Sequence, residues 1–276
     1  VDWTYLPQGV DYKSEFSYQK NRHQWMLPQA KAYRATGNED YFNNWIDSYW
    51  SWLEKYPCPE GKTSQMEWTG LQLSSRISVQ TEILWYYIHS SGFTPALLTK
   101  FLKALYQHVE CQRSNWYNTA TSNIRLSQEQ AFTIAAIMYP EFVKSEEWLS
   151  EGASAIANQL ETQFLEDGVH NEFDISYHFG ETGLAAFTEL YSIVSANDKL
   201  SLFPSDYKDK LYRATQFMKD VIYPNYSVDN FNDTRSQRVT KSVLLKNFRT
   251  YSSMFPEDPE LMWIANQGAV GTKPSY

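Results

Sequence analysis

The 276-residue chain is 42% apolar, enough for one large core or two smaller ones. Its net charge of −8 argues against nucleic acid and against an anionic membrane surface, and no stretch approaches the ~20 consecutive apolar residues of a membrane-spanning helix. Aromatic residues reach 16%, with 10 Trp and 20 Tyr; flat apolar faces with polar edges suit helix interfaces and also a part-wet groove for sugar rings.

The opening VDWTYLPQG does not read as a signal peptide. KNRHQW then gathers Lys20, Asn21, Arg22, His23 and Trp25, which is either a solvated basic face or an anion contact. Tyr41, Trp45, Ile46, Tyr49, Trp52, Leu53 and Tyr56 recur at helical spacing behind Asn38, a plausible N-cap. Cys58 follows in a loop. The next helix spans about 70–90, with Gln72 and Arg76 four apart on one face. Thr94-Pro95 pairs a capping residue with proline at the first helical position; this helix carries Cys111 at its end. Two cysteines make neither a disulfide framework nor a zinc spacing.

TATSNIRLSQEQ reads as a polar loop feeding a helix capped by Ser127-x-x-Gln130, which places Asn123 and Arg125 just ahead of the helix start. An amide and a guanidinium there form an anion-binding corner, although Asn123 alone also suits a turn. Further helices fit residues 145–165, 181–197, 205–221, 238–253 and 257–267. Alternating strand patterns are absent, so the class is all-α. Paired antiparallel helices of this kind build a ring or a solenoid, and periodicity does not separate the two. The tail QGAVGTKPSY, residues 267–276, has a linker's composition.

Between two of these helices lies HNEFDISYHFG, residues 170–180. It has three readings. As an extended segment it would place His170, Glu172, Asp174 and His178 on one face, as metal ligands require; however, it lacks an HExxH or helical ExxH spacing. As a structural element, Asp167-Gly168 makes a turn and the polar groups cap helices. As a catalytic segment it needs a partner from elsewhere in the chain.

Taken in order, NRHQW, PQAKAYRATGNEDYFNNWI, WTGLQLSSR, SNIRLSQEQ, YPEF, EWLSEG, DGVHNEFDISYH and PNYSVDNFNDTRS resemble the helical domain of the heparinase II/III superfamily, most closely the heparinase III group of polysaccharide lyase family 12. The resemblance covers nearly the whole chain. It implies an incomplete (α/α) toroid of paired antiparallel helices over residues 1–266, a linker at 267–276 and a C-terminal β-sandwich domain beyond it. On this reading the chain is an isolated N-terminal domain, inactive or nearly so by itself. The resemblance further implies a periplasmic or secreted lyase acting on an anionic polysaccharide, without cofactor or metal and without nucleic-acid or membrane partners.

Asn123 matches the family's catalytic Asn and Tyr177 its catalytic Tyr, 54 residues later. Arg22, His23, Gln72, Arg76, Arg125 and His178 are the implied substrate contacts. The sequence departs from the family pattern at Ile124, where a histidine is common, at Gln72 and Gln128, where acids are common, and at Asn232-Asp233-Thr234. The implied chemistry is β-elimination at a uronic acid. Asn123, with Arg125 or Arg76, neutralises the carboxylate so that the enolate forms. Tyr177 moves the proton, which requires nearby cations because phenols ionise far above neutrality. An all-α glycoside hydrolase using Asp174 and Glu129 and a non-catalytic glycan-binding module are the alternatives.

Overall fold

A computed structural model gives the structure of the protein and describes residues 1–119, 121–180, 183–229, 232 and 239–275. Among the described residues there are twelve α-helices and no strand, so the chain is all-α as its periodicity indicates. The helices are α1 (Glu15–Arg22), α2 (Leu27–Thr36), α3 (Glu39–Lys55), α4 (Gly70–Tyr87), α5 (Pro95–Ser114), α6 (Asn123–Met138), α7 (Ser145–Gln163), α8 (Ile175–Phe179), α9 (Leu184–Ala196), α10 (Tyr207–Val221), α11 (Lys241–Met254) and α12 (Pro259–Ala265). No helix is long and apolar enough to cross a membrane among the described residues.

Local chemistry sets the boundaries. The Asn38 side chain accepts from the Asp40 N–H at the start of α3, and the Thr94 hydroxyl accepts from Leu97 N–H at the start of α5, where Pro95 needs no donor. Asp258 does the same for α12 through two backbone N–H groups. Three helices escape periodicity. EFSYQKNR of α1 is polar on most faces, LPQAKAYRAT of α2 has a weak apolar stripe, and α8 is barely one turn.

The expected start of α6 needs correction. The helix begins at Asn123, four residues ahead of Ser127, because Ser122 is the cap: its hydroxyl accepts from Arg125 N–H and its carbonyl accepts from Leu126 N–H. Asn123 and Arg125 therefore sit within the first helical turn rather than in a loop before it.

By its internal contacts the chain divides into two compact units: residues 1–120 with 127–149, and residues 121–126 with 150–276. In the first unit α4 packs on α1, α2 and α5, and α2 on α3. Its core is aromatic. Trp45, Trp52, Trp68 and Trp148 are fully buried, each contributing of order 2–3 kcal/mol by burial. Indole N–H groups find partners there, Trp45 on Gln80 Oε1 (3.0 Å) and Trp52 on Asn21 Oδ1 (2.8 Å). In the second unit α9 packs on α8, α10 and α11, and α11 packs on α12. Leu184, Phe187, Leu190, Leu211, Met218, Leu244 and Phe248 form its core.

The tail read as a linker touches α12: Gly268 N–H donates to Trp263 O, and Thr272 N–H donates to Pro259 O. Of the NFNDTRS run, only Asn232 is described. Its side chain donates to the carbonyls of Glu172 (3.1 Å) and Phe173 (2.8 Å). Asp233 and Thr234 lie outside the described residues.

Candidate functional site

The second unit holds Asn123, Arg125, Tyr177 and His178; the first holds Arg22, His23, Gln72 and Arg76.

In the second unit, α7 runs out at Gln163, and a turn returns the chain. Gly168, at φ +86°, sits where a side chain would strike the Arg213 carbonyl of α10. The Asp167 carboxylate accepts from Val169 N–H, as its Asp-Gly pairing suggests. An isolated bridge pairs Phe164 with His170, and Asn171 ties back to Gln163 O and Thr162 O. The segment then coils into α8, so it is not the extended strip that would have aligned His170, Glu172, Asp174 and His178. Asp174 caps α8, accepting from Tyr177 N–H (3.0 Å) and the Ser176 hydroxyl (2.6 Å). The carboxylate thereby meets one of the N–H groups that the start of a helix leaves without a partner.

Both histidines are buried and fully occupied. His170 Nδ1 accepts from Glu172 N–H, and its Nε2–H donates to Gln163 Oε1 (3.1 Å). His178 Nδ1 accepts from His170 N–H, and its Nε2–H donates to Ala214 O (3.0 Å). Burial pushes His178 down to about 3, aided by the neighbouring His170, and pushes His170 down to about 4 against the pull of Asp174. Two neutral rings, held by three backbone groups and the Gln163 side chain, make a frame. Both ring nitrogens of His178 are thus engaged within the protein, while the ring also lines a cavity of this unit. Among the described residues no group of three His, Cys, Asp or Glu is placed to hold a metal.

Tyr177 is different. Ser176 and His178 beside it are buried, whereas its own side chain is half-exposed. Its backbone is held from both ends. Asp174 caps it from the front, and Gly183 approaches so closely that a Cβ there would lie 1.9 Å from the Tyr177 carbonyl. Asn123, also half-buried, is fixed by the Ser122 cap at the first turn of α6. A cavity of about 280 Å³ in this unit is lined by Phe173, Asp174, His178 and Phe217 among others, with Phe173 largely exposed at its edge.

In the first unit the sequence-predicted contacts turn inward. Gln72 and Arg76 do share a helix face, but that face meets the core. Arg76 is fully buried. Its guanidinium donates to Asn21 O (2.9 Å), Gln72 O (3.2 Å) and Glu67 O (2.9 Å), and lies 3.9 Å over the Trp52 ring. Burial lowers its pKa to about 9. The group joins the end of α1, the 3-10 turn at Met66–Trp68 and α4, so its hydrogen-bonding capacity is used to hold these segments together. His23, in the left-handed conformation at the C-cap of α1, is also fully buried. It accepts from Gln80 Nε2–H (3.2 Å) and meets Trp52 edge-on at 5.0 Å. Burial, with the Arg76 charge nearby, holds it well below the ordinary imidazole range. Gln72 is buried on the Met66 carbonyl. Arg22 keeps a partly exposed edge, paired with Glu15 (2.9 Å) and donating to Gln72 Oε1 (3.5 Å).

Sequence reasoning passed over a polar cavity of about 250 Å³ in this unit, lined by Lys62, Thr63, Gly70, Asn115, Trp116 and Tyr117. Only the aromatic pair Trp116-Tyr117, isolated in a polar stretch, signals it.

Comparison with known proteins bears on the whole chain. Residues 1–263 match the family model for the heparinase II/III N-terminus. The chain is 35% identical over 280 residues to a heparin-sulfate lyase of Bacteroides thetaiotaomicron and 28% identical to one of Bacteroides stercoris. These alignments cover 99% and 100% of this chain, and 39% and 43% of the relatives. Among solved structures it resembles a heparinase III at 34% identity with a TM-score of 0.86, covering all of this chain and 42% of the other. The chain thus spans about two fifths of the length of the relatives it matches.

Proposed function

Because the chain belongs to the heparinase II/III family, through its N-terminal helical part, we propose that it serves a polysaccharide lyase that cleaves heparan sulfate, or a low-sulfate relative, by β-elimination at uronic acid residues. The observation that carries this reading is the likeness, along the whole of this chain, to about two fifths of the length of the heparin-sulfate lyases, together with Asn123 and Tyr177 lying half-buried in one unit on fixed backbone.

The proton on uronate C5 is weakly acidic, and the adjoining carboxylate opposes its removal. The Asn123 amide hydrogen-bonds that carboxylate, and the charge of Arg125, two residues on in the same helical turn, offsets its own, so that the enolate can form. The Tyr177 phenol takes the proton or delivers one to the departing glycosidic oxygen, leaving a C4–C5 double bond. His170, Asp174 and His178 hold α8 so that this phenol faces outward. His23, Gln72 and Arg76 act through the core of the first unit, and Arg22 supplies cationic charge at its edge. Remaining catalytic groups, a histidine among them, come from a C-terminal β-sandwich in the length of the relatives that this chain does not span. The same reading places the protein in the periplasm.

The test is an ultraviolet assay for unsaturated product, run on the chain extended to its relatives' length against a panel of uronate polysaccharides. Tyr177→Phe and Asn123→Ala should each lower turnover by roughly 10²–10⁴-fold. The 276 residues alone should turn over little. Full turnover by Tyr177→Phe, or new reducing ends without ultraviolet absorbance, would sink the proposal.

A further inference from the structure

The two cysteines take no part in this chemistry, yet the fold brings them together. Cys58 lies in the loop between α3 and α4; Cys111 lies near the end of α5. Both are free thiols. The Cys58 sulfur rests 3.6 Å from the Gln107 carbonyl, one helical turn before Cys111 on the same side of α5. A second tether sits beside them. The Asn115 side chain accepts from Thr63 N–H (2.7 Å) and donates to Gly61 O (2.9 Å), to Cys111 O (2.8 Å) and to the Cys111 sulfur (3.6 Å). Loop and helix are therefore already in register on either side of the thiols.

We propose that Cys58 and Cys111 form an intramolecular disulfide when the folded protein meets a small disulfide oxidant, and that this bond pins the Cys58–Thr63 loop onto α5. That loop carries Lys62 and Thr63, which wall the polar cavity of the first unit. Burial sets the order of events: Cys58 is part-exposed and Cys111 is buried. The neighbouring Cys111 thiol lowers the Cys58 thiol, while Cys58 and burial raise Cys111. Cys58 thiolate attacks the oxidant R–S–S–R, giving Cys58–S–S–R and one thiolate RS⁻. Cys111 thiolate then attacks the Cys58 sulfur, closing the protein disulfide and expelling the second RS⁻. The two protons released by the cysteines convert both thiolates to RSH, so the protein loses two electrons and the oxidant gains them.

The experiment treats the folded protein with oxidised glutathione, then denatures, alkylates with iodoacetamide and measures intact mass. The expected result is two unalkylated cysteines, a chain lighter by two hydrogens, and a thermal midpoint raised by about 5–10 °C, since the bond closes a long loop. With Cys111→Ser, one glutathione should remain on Cys58. With Cys58→Ser, Cys111 should stay fully alkylatable after treatment. A stable glutathione adduct on Cys58 of the unsubstituted protein with Cys111 still free would overturn the proposal. So would two free thiols after treatment of the folded chain under conditions that oxidise the same chain in urea.

Discussion

Two regions draw the eye in the sequence for the same reason, and they fold to different ends. KNRHQW with Gln72 and Arg76 in the first unit, and HNEFDISYHFG in the second, both crowd charged and imidazole groups into a few residues. Both bury their histidines in the neutral form. In the first unit the cation is buried as well and consumed by carbonyls and indole faces. Nine of the ten tryptophans lie in that unit, so the guanidinium serves a packed aromatic core. In the second unit the buried acid and histidines brace one turn of helix, on which Tyr177 is only half-buried. Polar density in a sequence thus marks braces as readily as chemistry; exposure tells them apart.

Activity and stability together separate the two regions most directly. Tyr177→Phe should lose turnover as stated above while leaving the urea midpoint unmoved, because the hydroxyl is not part of the frame. Arg76→Met should do the reverse, costing about 3 kcal/mol or more in urea unfolding, since it strips charged hydrogen bonds from three buried carbonyls. Were Arg76→Met to fold at full stability and lose only substrate affinity, the brace would be a binding residue after all.

A smaller effect belongs to the second region. His170 and His178 are held to about 4 and about 3 in the folded state, against about 6.5 for an unfolded histidine. The unfolded chain therefore binds more protons between those values. The associated stability is full above about pH 6.5 and is lost as pH falls towards 4 and then 3. Each histidine should cost about 2 kcal/mol between pH 7 and pH 5. Urea midpoints across that range should fall, less steeply in His178→Gln than in the unsubstituted protein. A flat profile would mean that the rings charge freely.

The smallest effect concerns the α6 cap. Ser122→Ala should cost about 1 kcal/mol. It should also lower turnover by more than that stability loss explains, because Asn123 sits at the first position of the turn that Ser122 fixes. Ser122→Asp, which restores an acceptor, should recover stability; equal turnover in all three would separate the cap from the site.

Much of the frame was legible. Apolar spacing found α3, α4, α5, α7, α9, α10 and α11, and the caps at Asn38 and Thr94 are as read, because both signals are local. Ser127 misled since a capping box needs only four residues to look right, whereas Ser122 wins by meeting the orphan Arg125 N–H. The placement of α8 was not legible: Asp174 reads equally as ligand, acid or cap until its partners are known.

By itself the sequence determined the helical class, most helix boundaries and, through resemblance, Asn123 and Tyr177 as the residues to watch. Tertiary structure alone decided which polar groups are spent. Whether Arg76 meets a sugar or a carbonyl, and whether His178 faces solvent or Ala214, depends on segments 9 to 55 residues away in the chain. Burial is set by packing between helices, and no local pattern encodes which side of a polar face the core will claim.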